Sequence, residues 1–288
     1  MAHRFLRPED IQRLSSFEFA PKNLAEGFLA GRHRSRRTGT STEFRDLRPY
    51  SPGDDIRDLD WRVLARTDRP WLRTFEIETN TDCHILLDSS GSMGFGNTPT
   101  KLEYASFFTA ALAYLVIRNR DLVSVGLLDE GIRSFFPPGS TQGHLTRILQ
   151  ALEDNPPGRP TRLAESVRRV VPLIRRRGTL ILVSDFLDDP AAFFRELNPF
   201  LHRGFRVHLL QILHPDELRL RGSGLTRFVD LETGSHEIAH VEHLARDYAE
   251  TVDQHLNAIR SLASRKGVGY RLATTRSPFL ELFDDFVR

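Results

Sequence analysis

Three oxygen-bearing side chains stand at alternate positions in one short segment of the chain. Asp88, Ser90 and Ser92 follow the apolar run 85–87 and fall in a turn of serine and glycine. An apolar run that ends in such a turn is typical of a buried strand. Carboxylate and hydroxyl oxygens that converge at the end of a strand suit a small hard cation such as Mg2+ or Mn2+. The segment therefore predicts part of a metal site at the carboxyl edge of an α/β sheet, where ligands bind.

This D-x-S-x-S run resembles the metal-ion-dependent adhesion site of von Willebrand factor A-type domains. The resemblance implies that a threonine on a mid-domain loop and an aspartate after a later strand complete the site. Thr161, on a loop that opens a predicted helix, matches the first, and Asp185, after a second apolar run, matches the second. A plain turn with helix-capping carboxylates is the alternative interpretation. The implied metal residues are Asp88, Ser90, Ser92, Thr161 and Asp185.

Composition limits the classes of protein to consider. The 288 residues are 40% hydrophobic, which is normal for a globular chain with one large or two modest domains. The net charge of +2, from 40 basic and 38 acidic residues, gives no general attraction to nucleic acid or anionic membranes. Cys83 is the only cysteine, which excludes an intrachain disulfide and fits a reducing cytoplasm. The most apolar stretch, 105–117, is too short to cross a bilayer, and the N-terminus lacks a signal-peptide core. We therefore expect a cytoplasmic protein without a transmembrane segment.

Residues 1–80 differ in pattern from the rest and are predicted to form a small β-rich N-terminal subdomain. The arginine-rich segment 32–37 is interpreted as a solvated loop, with contact to an anion or an acidic partner as the alternative. A Pro-Gly-Asp-Asp turn at 52–55 precedes Trp61, and turn chemistry and packing favour a fold-building role for these residues. Residues 71–78 alternate between apolar and polar, which predicts a half-buried strand.

Residues 81–288 are predicted to form an α/β domain with a doubly wound, mostly parallel sheet, because buried strands alternate with helices. The predicted strands are 84–88, 122–128, 179–184, 206–213 and 270–273, with an edge hairpin strand at 132–136 and a strand and turn at 228–234. The predicted helices are 101–120, 142–152, 163–174, 190–201, 241–266 and 278–287.

A set of motifs ahead of Asp88 resembles the domain-of-unknown-function 58 family of bacteria and archaea, over about residues 31–275. The motifs are EFRDLRPY at 43–50, PGDD at 52–55, DW at 60–61 and AR at 65–66. The resemblance implies a von Willebrand A-like domain and a role beside MoxR-type AAA+ ATPases in chaperone-like assembly or maturation. Many relatives carry N-terminal membrane helices. This chain departs from that pattern, so membrane attachment is not expected.

One competing motif is His236-Glu237-Ile238-Ala239-His240, which matches the H-E-x-x-H pattern of zinc proteases. That pattern holds zinc only on a helix and needs a third ligand, for which Asp247 or Glu250 is a candidate. The preceding Gly-Ser predicts that the helix starts at or after the motif, although an extended segment would still place both histidines on one face. The chain has no G-x-S-x-G elbow, no D-x-D at Asp88 and no phosphate-binding P-loop.

These observations favour a non-enzymatic, divalent-metal-dependent module for protein–protein interaction. An acidic side chain of a protein partner would complete the coordination of a metal at the Asp88 site, and no general base stands beside a nucleophile. The alternative is a metal-dependent hydrolase that uses the Asp88 site or a zinc site at His236, Glu237 and His240.

Overall fold

The computed structural model describes residues 3–14, 43–50, 59–76, 82–158, 162–278 and 282–283, and for 43–48 and 72–76 it describes the backbone alone. The segment 32–37, the turn 52–55, Thr161 and nearly all of the predicted C-terminal helix lie outside the described residues. The chain divides into two compact units, Gly31–Asn80 and Met1–Ala30 with Thr81–Arg288.

The strands are β1 (Glu43–Pro49), β2 (Trp71–Glu76), β3 (Asp82–Asp88), β4 (Val123–Leu128), β5 (Ile132–Gly139), β6 (Gly178–Ser184), β7 (Arg206–Leu213), β8 (Leu225–Val229), β9 (His236–His240) and β10 (Gly269–Thr274). The helices are α1 (Pro8–Leu14), α2 (Trp61–Thr67), α3 (Lys101–Arg118), α4 (Gln142–Glu153), α5 (Leu163–Val170), α6 (Pro190–Glu196), α7 (Asn198–His202), α8 (Pro215–Leu218) and α9 (Val241–Lys266). A 3-10 turn covers Ser92–Gly94.

The larger unit is built on a six-stranded sheet with the order β10-β7-β6-β3-β4-β5. All neighbouring strands run parallel except β5, which is antiparallel to β4 at one edge. This confirms the predicted α/β class and the mostly parallel sheet. After β3 the chain adds β4 and β5 on one side and later places β6 on the other. The carboxyl ends of β3 and β6 therefore flank a topological switch point, which is where α/β sheets bind ligands.

Both faces of this sheet are covered, as its continuous aliphatic strands require. Successive side chains of a strand point to opposite faces. Accordingly, Ile85 and Leu87 join a core with α1, α3 and α4, whereas Leu86 joins a second core with α5, α6, α7 and α9. Helix α3 begins with a capping box between Thr100 and Glu103 and lies buried along most of its length.

The first described residues, 3–14, belong to the larger unit and not to the unit that ends at Asn80. Phe5, Leu6 and Leu14 are buried in the core that contains α3, and Arg118 Nη1 donates to Leu14 O at 3.1 Å. The sequence shows that α1 has an apolar side, but it does not show which distant helix covers that side.

The smaller unit contains the antiparallel pair β1–β2 and helix α2. Asp60 caps α2, because its Oδ1 accepts the backbone N–H groups of Arg62 at 2.9 Å and Val63 at 3.1 Å. Trp61 is 60% exposed, so the structure does not support the expected packing role of this ring.

Two predicted helices differ in extent from the observed ones. The helix predicted at 163–174 ends at Val170, and the one predicted at 190–201 divides into α6 and α7 near Pro199. Proline removes a backbone donor and favours the first turn of a new helix, which explains the division. Within the described residues, no helix is long and apolar enough to cross a membrane.

Gly178 at the start of β6 provides a sharp test of the contact between β6 and β3. A Cβ atom at this position would lie 1.9 Å from the backbone oxygen of Asp82, which cannot move without breaking the strand pair. We expect Gly178→Ala to lower the free energy of unfolding by more than about 3 kcal/mol. The matched control is Gly143→Ala in α4, where a Cβ would meet nothing within 4 Å. Gly143→Ala should leave the free energy of unfolding unchanged or raise it by up to about 1 kcal/mol.

Urea unfolding gives the free energy of unfolding of each variant. Equal values for Gly178→Ala and Gly143→Ala would contradict the β3–β6 geometry.

His84 predicts a loss of stability in acid. The ring is buried in β3, its Nδ1 lies 2.6 Å from Ser124 Oγ, and burial lowers the pKa of His84 to about 4. The unfolded chain takes up the proton near pH 6.5, so the stabilisation is complete above that pH and is lost as the pH falls toward 4. Between pH 7 and pH 5 this histidine should lower the free energy of unfolding by about 2 kcal/mol. Urea unfolding at both pH values should show a smaller loss in His84→Gln than in the wild type, and equal losses would contradict the prediction.

Candidate metal centre

Asp88, Ser90 and Ser92 converge in the turn that follows β3. Asp88 Oδ1 accepts the backbone N–H of Ser90 at 2.9 Å, and Ser90 Oγ lies 3.0 Å from Ser92 Oγ. The short side chain of Asp88 can bond its own backbone two residues on, and this bond closes the turn. The alternate spacing of the three residues therefore brings their oxygens to one place.

The last residue of β6 fixes the other oxygen of Asp88. Ser184 Oγ donates to Asp88 Oδ2 at 2.6 Å and accepts the backbone N–H of Phe186 at 2.9 Å. β3 and β6 are parallel neighbours, and Leu87 pairs with Val183, so their carboxyl ends lie at the same level. The hydrogen bond from Ser184 was not predicted from the sequence, in which this serine is one more residue at the end of an apolar run.

Asp185 follows β6 directly and lines the same cavity as Asp88 and Ser92, with a volume of about 260 Å³. Its backbone oxygen accepts a hydrogen bond from Gln211 Nε2 at 2.6 Å, which ties the end of β6 to β7. The described lining contains five carboxylates, those of Asp88, Asp185, Asp188, Asp230 and Glu232. The cavity is therefore strongly acidic, which favours cations over anions.

Thr161 lies outside the described residues, but its described neighbours on both sides contact the site. Before it, Gly158 N donates to Ser89 O at 2.7 Å. After it, Leu163 N donates to Asp188 Oδ2 at 3.1 Å, and Leu163 lines the cavity. The structure thus places Asp88, Ser90, Ser92 and Asp185 together.

The surroundings of Asp88 disfavour its charged form, and a nearby cation would favour it. Burial and then the negative charge of Asp185 raise the pKa of Asp88 to about 7, against the opposing hydrogen bonds of Ser184 and Ser90. A divalent cation beside Asp88 would remove this penalty, and hydroxyl and carboxylate oxygens are the donors that Mg2+ and Mn2+ prefer. Across the described ranges, no group of three or more Cys, His, Asp or Glu is arranged to hold a metal ion. A metal here would therefore depend on the serine hydroxyls, and the residues fit that role.

Lys101, at the start of α3, is a second residue beside this site that the sequence analysis missed. Its side chain is 0% exposed, and its Nζ lies 2.7 Å from Asp185 Oδ2 and 2.5 Å from Glu217 Oε1. Burial alone would lower the pKa of Lys101, but the two carboxylates outweigh it and hold the pKa above its usual value. The available signal was its rarity, because the chain has only three lysines among its 40 basic residues.

The H-E-x-x-H motif does not form the helical arrangement of a zinc protease. His236–His240 is strand β9, which pairs with β8, and α9 begins only at Val241. Both histidines lie on one exposed face of this two-stranded ribbon, and Glu237 points to the other face. The structure thus confirms that the helix starts after the motif, and it does not support a zinc site at His236, Glu237 and His240.

Comparison with known proteins places the fold. The chain is 27% identical over 231 residues to the uncharacterized protein Rv1480 of Mycobacterium tuberculosis, covering 79% of this chain and 72% of that protein. An aerotolerance-related membrane protein from Bacteroides fragilis superposes with a TM-score of 0.50 at 14% identity, over 72% of this chain and 98% of that chain. The SpRpn10 VWA domain has a TM-score of 0.45 at 13% identity, over 71% and 93%. The superposition on the Bacteroides fragilis protein shows a shared α/β fold.

A family model described as "Protein of unknown function DUF58" matches residues 46–258, which is most of the chain and includes Asp88 and Asp185. The protein therefore belongs to the DUF58 family.

Proposed function

We propose that this protein is a non-enzymatic, divalent-metal-dependent module for protein–protein interaction. The observation that carries the proposal is the buried Asp88 carboxylate, which accepts the backbone N–H of Ser90 and shares a cavity with Ser92 and Asp185 at the switch point of the sheet. The hydroxyls of Ser90 and Ser92 meet beside it. The metal is Mg2+ or Mn2+, because all of these donors are hard oxygens.

The metal would be held by the set Asp88, Ser90, Ser92, Thr161 and Asp185, directly or through water. Three hydroxyls and two carboxylates would leave the ion able to keep at least one bound water. A carboxylate from a protein partner can replace this water and complete both the charge and the coordination. The chemistry that the metal supplies is thus the capture of an acidic side chain.

The lining of the cavity favours binding over catalysis. The described lining residues include serine, aspartate and glutamate but no histidine, lysine or cysteine. A serine nucleophile requires an adjacent group that takes its proton, and histidine fills this role most often. Ser90 and Ser92 instead hydrogen-bond each other, which suits two hydroxyls that turn their lone pairs toward one ion.

Exposed apolar side chains around the acidic cavity support a protein as the ligand. Leu187, two residues after Asp185, lines the cavity and is 53% exposed. Leu231, in the turn between β8 and β9, is 48% exposed, and its backbone oxygen approaches Gly91 of the Asp88 turn. Apolar surface beside a polar site is typical of protein contacts.

For the partner, we propose a MoxR-type AAA+ ATPase that acts with this protein in chaperone-like assembly or maturation. The support is the family itself, because DUF58 members often occur beside such ATPases. The partner would offer one aspartate or glutamate to the metal, with apolar residues around it that cover Leu187 and Leu231.

Thermal unfolding of the full chain tests the metal site. A ligand that binds only the folded state adds RT ln(1 + [L]/Kd) to its stability, so about 10 mM Mg2+ or Mn2+ with a Kd near 1 mM adds roughly 1.4 kcal/mol. We expect a rise of a few degrees over the sample in EDTA. The rise should vanish in Asp88→Ala, which removes the carboxylate that bonds both the turn after β3 and the end of β6.

The matched control is Asp253→Ala on α9, an exposed aspartate that pairs with Arg219 outside the cavity. It should keep the full metal-dependent rise. An equal rise in wild type and Asp88→Ala would place the metal elsewhere, and no rise in either protein would refute an autonomous metal site.

A further inference from the structure

The buried ammonium of Lys101 lies beside the proposed metal site. Lys101 is wholly inside the protein, in a chain that otherwise uses arginine almost throughout. A buried ammonium is tolerated only when it is paired, and Lys101 has two partners, Asp185 and Glu217. One of these partners is a proposed metal residue, and the other lies outside the cavity lining.

The pairing occupies a particular oxygen of Asp185. Oδ2 accepts the bond from Lys101 at 2.7 Å, while Oδ1 faces the backbone N–H of Leu187 at 3.4 Å. The bond from Lys101 therefore orients this carboxylate. Its negative charge is shared with the ammonium before any other cation arrives.

Glu217 balances the ammonium from the other side. Its Oε1 lies 2.5 Å from Lys101 Nζ, and its Oε2 accepts the backbone N–H of His214 at 2.7 Å. The second bond closes a capping box at the start of α8 and holds Glu217 in place. Lys101 thus stands between a carboxylate inside the proposed site and a carboxylate outside it.

We propose that Lys101 is a positioning residue that orients Asp185 and, through its charge, keeps the affinity of the site for a free divalent cation low. This inference rests on the proposed metal site. With Asp88 ionised, the cation meets Asp88 and Asp185 but also the fixed positive charge of Lys101, which repels it. An acidic side chain of a partner adds the missing negative charge, so metal and partner strengthen each other's binding by the same factor. The lysine thus keeps the binding of the free metal weak and makes it stronger once the partner is bound.

Two substitutions of opposite sign test this charge balance. Lys101→Met removes the positive charge with a side chain of similar length, and Glu217→Gln removes the outer negative charge while keeping a hydrogen-bond acceptor for Lys101. We expect Lys101→Met to bind Mn2+ about tenfold more tightly than the wild type, and Glu217→Gln to bind it several-fold more weakly. A merely structural role of the two residues would shift stability in both variants without opposite shifts in affinity.

The measurement is a titration of the full chain with Mn2+ alone, in which electron paramagnetic resonance reports the free ion. Urea unfolding in EDTA confirms that each variant folds. The double variant Asp88→Ala, Lys101→Met should lose the gain, because the tighter binding requires the Asp88 oxygens. Retention of the gain in this double variant would assign it to another site and overturn the inference.

The outcomes separate this inference from the proposed function. Binding of Mn2+ by the wild type with unchanged affinity in Lys101→Met and Glu217→Gln would leave the metal site standing and refute the role of Lys101. Failure of every protein to bind Mn2+, Lys101→Met included, would refute both. If Lys101→Met does not fold, Glu217→Gln decides alone, and equal or tighter binding there would overturn the inference.

Discussion

A buried carboxylate is stable in its charged form only if hydrogen-bond donors or positive charges replace its hydration. The arrangement of the site depends on how this requirement is met at Asp88. It is 1% exposed, and burial together with Asp185 disfavours its charged form. Its two oxygens are satisfied by different parts of the chain, Oδ1 by Ser90 and Oδ2 by Ser184. The turn after β3 and the end of β6 are therefore fixed relative to each other by one side chain.

The sheet makes this convergence possible. Five parallel strands, covered by helices on both faces, end at one edge, and the order of the strands reverses between β3 and β6. Backbone groups at such an edge have no further strand to pair with, so side chains and loops satisfy them. The loop before α5 contributes in this way, because Gly158 N donates to Ser89 O. The side chains of the site thus lie at the ends of the strands and in the loops that follow them, while the strands provide rigidity.

A buried network of ion pairs lies at the same end of the sheet. Lys101 extends from the first turn of α3 and joins Asp185 to Glu217, so its ammonium partly neutralises the negative charge beside the cavity. Buried ion pairs of this kind contribute little net stability, because desolvation offsets much of the attraction. We therefore propose that these ion pairs act mainly on the charge of the neighbouring metal centre rather than on stability.

The sequence by itself determined the features that depend on near neighbours. The spacing of Asp88, Ser90 and Ser92 defines their convergence, because a tight turn relates residues two apart. The aliphatic strands and the long helix that ends at Gly267 follow from periodicity and from a glycine in the left-handed conformation. These local signals were sufficient for the α/β class and for the mostly parallel sheet.

Only the tertiary structure decided the contacts between distant segments. Lys101 is 84 positions from Asp185 and 116 from Glu217, and no pattern of hydropathy encodes that pairing. The H-E-x-x-H motif became a strand because β8 pairs with it, and residues 3–14 joined the larger unit because α3 offered an apolar surface. In each case the contact is stabilised by a surface or a charged group that a distant part of the chain supplies. Local sequence therefore defined the oxygen-bearing side chains of the turn after β3, and folding placed the ammonium of Lys101 beside the site.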